Sequence, residues 1–170
     1  MTTKTNFETM RQTLLLLFLA LILMPDTINA LPFKEISTDN GLSNRRVQES
    51  ILDDNGYIWF ATRSGIDRYN GEFFVHYTLS ISAENEVTEH PRGILINDQK
   101  EIYAFSEANI YKFSYETDSF HQVNNVNLTQ REAINAITFD PTGHLWIGTT
   151  EHLYRFNTND STLQSIKQKV

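Results

Sequence analysis

The chain has 170 residues, a formal net charge of −7, 40% hydrophobic and 12% aromatic residues, and no cysteine. An acidic balance with no basic cluster excludes a phosphate-backbone binder, because nucleic-acid-binding proteins gather Lys and Arg on one face. The length suits one globular domain or part of a larger one, and the lack of cysteine excludes a disulfide-stapled scaffold.

The first segment reads as an export signal. Lys4 and Arg11 precede an apolar run from Leu14 to Met24, which Pro25 and Asp26 break, and Ile28-Asn29-Ala30 ends on a small residue. Those eleven apolar residues fall short of the roughly 20 a membrane-crossing helix needs. Residues 1–30 are therefore predicted to be a cleaved signal peptide, with a mature periplasmic chain starting at Leu31. Phe33 and Ile36 then alternate ahead of Asp39-Asn40-Gly41, which predicts a lone strand over residues 31–40.

Short strands and tight turns follow. Val47 to Leu52 is predicted as a strand, Asp53-Asp54-Asn55-Gly56 as a turn, and Tyr57 to Thr62 as a second strand. Ile66 to Tyr69 is a third, Asn70-Gly71 is a strong hairpin signal, and Phe73 to Tyr77 is a fourth.

This unit recurs. Gly143, Trp146, Thr149, Leu153, Arg155 and Phe156 fall under Gly56, Trp59, Thr62, Ile66, Arg68 and Tyr69, each pair 87 residues apart. A weaker copy lies between them, with Tyr103 under Trp59, Ser106 under Thr62, Asn109 under Gly65 and Lys112-Phe113 under Arg68-Tyr69. The steps of 44 and 43 residues suit four-stranded propeller blades, and none of the copies has the 3.6-residue periodicity of helical repeats. The predicted fold is all-β: about three β-propeller blades of four antiparallel strands, an incomplete ring, with a β-solenoid as second choice. Blade 1 is assigned to residues 41–79, blade 2 to 80–124 and blade 3 to 125–170. The lone strand of 31–40 would be the outer strand that closes a last blade.

The residues Gly41-Leu42-Ser43, Val47, Asp53, Gly56, Ile58-Trp59-Phe60-Ala61-Thr62 and Gly65-Ile66-Asp67-Arg68-Tyr69 resemble the repeat of two-component regulator propellers. The third copy matches it at Asp140, Gly143, Leu145-Trp146-Ile147-Gly148-Thr149 and Leu153-Tyr154-Arg155-Phe156. The resemblance implies the N-terminal part of a periplasmic sensor, joined in the whole protein to a β-sandwich, a membrane helix and a kinase or cyclase. Its ligands would be small molecules or oligosaccharides. The middle copy departs from the pattern at Tyr103 and at Asn109, where Asn is expected to keep the positive φ of the turn.

Recurrence also weighs the candidate residues. Trp59 and Trp146 are expected to pack between blades, and Arg68 and Arg155 to make structural pairs. Asp54-x-Gly56-x-x-Trp59 resembles part of the Asp-box of sialidase propellers, but Leu52 stands where that box has Ser or Thr. No pair of placed carboxylates, metal-ligand spacing among the five histidines, phosphate loop or nucleophile motif stands out, so no catalytic residue, metal or cofactor is expected.

Successive antiparallel strands turn at alternate ends. One face therefore collects uniform glycine-bearing turns, and the other collects variable loops, where function on repeat scaffolds concentrates. Arg45, Arg46, Arg63, Glu107, Asn109 and His152 lie in those loops and are the candidate ligand-binding residues. The remainder of a longer sensor chain is an expected partner, and membrane contact is expected only through downstream regions. A homodimer of the full-length protein stays open. The alternatives are an extracellular propeller enzyme acting on polysaccharide, a glycoside hydrolase or lyase, and a non-functional gene fragment.

Overall fold

The computed structural model describes residues 10–16, 18, 33–81, 87–128 and 132–166. The chain divides into two compact units, residues 1–35 and 36–170. In the first, residues 10–16 and 18 are helical, with Leu14, Leu15, Leu16 and Phe18 exposed. Among the described residues no helix is long and apolar enough to cross a membrane. The predicted cleavage segment, Ile28-Asn29-Ala30, lies outside them.

The second unit is built of β-propeller blades. β1 (Val47–Leu52), β2 (Ile58–Thr62), β3 (Gly65–Tyr69) and β4 (Phe74–Tyr77) form one antiparallel sheet in chain order. A ribbon of β5 (Leu79–Ser80) and β6 (Thr88–Glu89) leads to the second sheet. That sheet consists of β7 (Gly93–Ile96), β8 (Ile102–Phe105), β9 (Ile110–Ser114) and β10 (Ser119–Gln122). The third comprises β11 (Ile134–Phe139), β12 (His144–Thr149), β13 (Leu153–Asn157) and β14 (Thr162–Ile166). The repeat extends to irregularities: β1 and β11 shift register at Val47/Glu49 and at Ile134/Ala136, positions 87 residues apart.

Apolar side chains on both faces of the middle strands explain why the sheets stack. All four residues of β8 are buried. Ile102 and Ala104 join a core with Trp59, Ile66 and Tyr77 of the first sheet. Their alternates Tyr103 and Phe105 join a second core with Ile134, Leu145 and Ile147 of the third. A strand with period-two side chains thus serves two interfaces at once.

Two expectations are corrected. Residues 33–37 form no strand, and Thr38–Asn40 is a 3-10 turn ending at Gly41 with φ 112°. A strand needs a neighbouring ladder for its backbone groups, and the described residues bring none beside this segment, which leaves Phe33 96% exposed. Asn109, in turn, is not among the residues with positive φ. Gly65 is required for space: its φ is 150° and a Cβ there would collide with the Tyr77 carbonyl oxygen. Asn109 keeps an ordinary backbone, tied by its N–H to Ser106 Oγ at 2.9 Å. At the tight turn between β7 and β8, Lys100 takes a positive φ (66°), in register with Gly56 (82°) and Gly143 (83°).

Candidate functional site

The tight-turn face is held by a repeated hydrogen-bond unit. Asp53 Oδ1 accepts from the N–H groups of Asn55 and Tyr57, both at 2.9 Å, and Oδ2 accepts from Trp59 Nε1 at 2.8 Å. Asp140 does the same for Thr142 and His144, and accepts from Trp146 Nε1 at 2.9 Å. The Asp-box likeness had pointed to Asp54, but the indole is bonded to Asp53. In blade 2, Asn97 accepts from the Glu101 N–H at 2.8 Å, and Glu101 accepts from the Tyr103 hydroxyl at 3.2 Å. Burial alone would raise the Glu101 carboxyl, yet bonds from Lys112 and Asn97 hold it below its ordinary value.

The recurring arginines are structural as well. Arg68 lies 5.4 Å from the Trp59 ring centre and pairs with Asp118 at 2.9 Å. Arg155 lies 6.0 Å from the Trp146 ring centre.

On the loop face each blade has a carboxylate node. In blade 2, Glu89 accepts from Ser106 Oγ (2.5 Å), Asn109 Nδ2 (2.9 Å) and the Tyr111 hydroxyl (2.6 Å). In blade 3, Glu132 accepts from Thr149 Oγ1 (2.6 Å) and the Tyr154 hydroxyl (3.0 Å), and His152 Nδ1 lies 3.0 Å away. Blade 1 exchanges the partners: the carboxylate moves to Asp67 on β3, where the tyrosines stand in the others, and Ser43 takes the leading place. Ser43 donates to Asp67 through N–H and Oγ at 2.8 and 2.7 Å, and His76 Nδ1 lies 2.7 Å from the same carboxyl. Burial, then the bond to the neighbouring carboxylate, pushes the Tyr111 and Tyr154 hydroxyls above their ordinary range.

A cavity of about 410 Å³ opens on this face between blades 1 and 2, lined by residues that include Arg46, Gln48, Arg63, Arg92, Thr88 and Glu107. The Arg63 N–H donates to the Arg46 carbonyl at 3.2 Å, which fixes the starts of both side chains at the same edge. Arg92 pairs with Glu107 at 3.3 Å and donates to the Ile134 carbonyl at 3.2 Å, joining blade 2 to blade 3.

The structure therefore gathers Arg46, Arg63 and Glu107 at one cavity. Arg45 is exposed and outside its lining, while Asn109 and His152 serve the nodes of blades 2 and 3. Arg92, Thr88 and His90, missed as individual residues, belong to the long Ser80 to Arg92 connection, whose length was the available signal. A second cavity of about 380 Å³ lies between blades 2 and 3, lined by tight-turn residues such as Asn97, Asp98 and Asp140, with no Lys or Arg among the described residues.

Residues 128–151, spanning β11, β12 and the turn after them, match the family described as two component regulator propeller. The chain carries a two-component regulator propeller repeat. The matched segment is the third copy, in phase with the Gly41–Tyr77 segment whose motifs first suggest the resemblance.

Solved structures share the fold. One is the extracellular domain of BT3049 from B. thetaiotaomicron, described as a hybrid two component system, 21% identical with a TM-score of 0.62. The match covers 77% of this chain and 19% of that one. Another is the extracellular domain of BT4673 from the same organism, described as a one component system, 18% identical with a TM-score of 0.66, covering 85% and 20%. A more distant likeness is virginiamycin B lyase from Staphylococcus aureus, 14% identical with a TM-score of 0.54, covering 71% and 40%. The chain thus spans about a fifth of the extracellular domains it resembles. No curated protein matches it in sequence.

Proposed function

We propose that this chain is the ligand-sensing propeller module of an exported two-component-type sensor, and that the variable-loop face receives the ligand. One observation carries the reading: repeats of this family stack into blades whose loop face holds a cavity of ligand size between two of them. A ligand there touches Arg46 and Arg63 of blade 1 and the Thr88–Arg92 segment of blade 2 together. Such a ligand favours one mutual arrangement of the blades, and sensing follows as a population shift.

The role is binding, with no chemical step, and the output belongs to other regions of a longer chain. The basic and apolar N-terminal segment supports export to the periplasm, as does the likeness to extracellular domains. The reading frame downstream of Val170 tests the proposal. Further repeats running into a membrane helix and a kinase or cyclase domain are the expected result. Clustered carboxylates on completed blades with no output domain would favour a polysaccharide-acting enzyme, and an immediate stop would remove the sensor role.

A further inference from the structure

We infer that the loop-face cavity is an oxyanion site, in which Arg46 and Arg63 hold the carboxylate or sulfate of a small polar ligand. The inference rests on the ligand-binding reading of that face and names the ligand's chemistry.

Charge bookkeeping within the cavity leads to it. The chain as a whole is acidic, with a net charge of −7, yet three arginines and two glutamates line this one cavity. The two recurring arginines of the repeat are engaged: Arg68 with Asp118 at 2.9 Å, and Arg155 with Asp140 at 3.7 Å. Within the cavity Arg92 is held by Glu107, Asn135 and the Ile134 carbonyl. The guanidinium groups of Arg46 and Arg63 form no ion pair or hydrogen bond among the described residues; the Arg46 backbone N–H donates to Asn44 Oδ1 at 2.9 Å.

Neither acidic side chain of the lining pairs with them. Both Glu89 oxygens are taken by Ser106, Asn109 and Tyr111, and Glu107 is taken by Arg92. Two guanidinium groups starting from hydrogen-bonded neighbours, with no carboxylate paired to either among the described residues, form a site that a planar carboxylate or a sulfate satisfies through charge-assisted bonds. Among the described residues no Trp, Tyr or Phe lines the cavity, so recognition rests on charge and on polar groups such as Gln48 and Thr88.

The test follows thermal unfolding of the full chain in sodium glucuronate, sodium sulfate, glucose and sodium chloride, with the salts matched in ionic strength. The two oxyanions should raise the midpoint saturably beyond chloride. Arg46→Ala and Arg63→Ala should each weaken the apparent affinity about tenfold, while Arg46→Lys retains part of it. Glu107→Ala, which removes the carboxylate partner of Arg92 and one negative charge from the lining, should strengthen it. A response to glucuronate beyond that to sulfate assigns a sugar-borne carboxylate, and the reverse assigns a free oxyanion; both support the site. Oxyanions acting no differently from chloride would overturn it, as would unchanged affinity in both alanine variants. A glucose response abolished by those variants would also overturn the oxyanion assignment, yet leave the ligand-binding reading of the face standing.

Discussion

Blades 1 and 3 share a sequence pattern and a hydrogen-bond pattern, but one tryptophan is sealed and the other is not. Trp59 is fully buried, with Phe113 and Phe120 of blade 2 at ring-centre distances of 4.8 and 6.1 Å. Trp146 is half-buried, and among the described residues no blade lies beyond it. The Asp-to-indole bond is nearly the same in both, 2.8 and 2.9 Å. The repeat therefore encodes its turn locally, whereas burial is supplied by the next blade.

The largest expected effect separates those contributions. Trp59→Ala should cost about 3–5 kcal/mol in denaturant unfolding of the full chain, because it empties a packed interface. Trp146→Ala should cost less than half of that. Equal losses would mean that the indole bond, not the neighbouring blade, carries the stability.

Next comes backbone space. Gly65→Ala forces a Cβ against the Tyr77 carbonyl at a φ of 150°, and should destabilise by about 1–3 kcal/mol. Asn109→Ala at the equivalent place in blade 2 meets no such strain, and its cost should be limited to the bonds to Glu89 and Gln122. A Gly65→Ala variant as stable as the parent would contradict the steric account.

The nodes differ more gently. Tyr111→Phe and Tyr154→Phe each remove one hydroxyl bond to a carboxylate, half-buried Glu89 at 2.6 Å and buried Glu132 at 3.0 Å, and should cost about 1–2 kcal/mol. The corresponding place in blade 1 is Asp67, whose removal leaves Ser43 and His76 without their acceptor. Asp67→Ala should therefore exceed both.

The smallest effect concerns pH. The Thr142 hydroxyl, then the Trp146 indole, hold the Asp140 carboxyl far below its ordinary value. Its stabilising contribution is present above the unfolded-state value, about 3.9, and is lost as pH falls through the folded one. Acid unfolding below about pH 4 should be shallower in Asp140→Asn than in the parent, while stability near pH 7 is lower in the variant. An identical acid limb would remove this linkage.

The blades were legible because each carries its own turn code at a spacing of 43 to 44 residues, and Asp53, Gly56 and Trp59 act within a few residues of each other. Positions whose roles depend on distant partners were not. Glu89 and Glu132 lie 17 residues before the Ser106 and Thr149 they bind, and in blade 1 carboxylate and hydroxyl change places, which hides the common node. Lys100 takes a positive φ that its residue type does not announce. At the cavity, the variability of one face singled out Arg46, Arg63 and Glu107. Arg92 was hidden because its partners Glu107, Ile134 and Asn135 lie 15 to 43 residues away.

The central claim is that the repeat is scaffold and the loop face carries function. The direct measurement is the output of the full-length protein across a panel of oligosaccharides, comparing Arg46→Ala/Arg63→Ala with a control pair on the opposite face, Asp54→Ala/Lys100→Ala. The control residues form an exposed ion pair at 3.1 Å, whose loss should cost at most about 1 kcal/mol. The account predicts that the first pair abolishes the response and the second preserves it. A response that survives the arginine pair, or that is lost with the control pair, would contradict it.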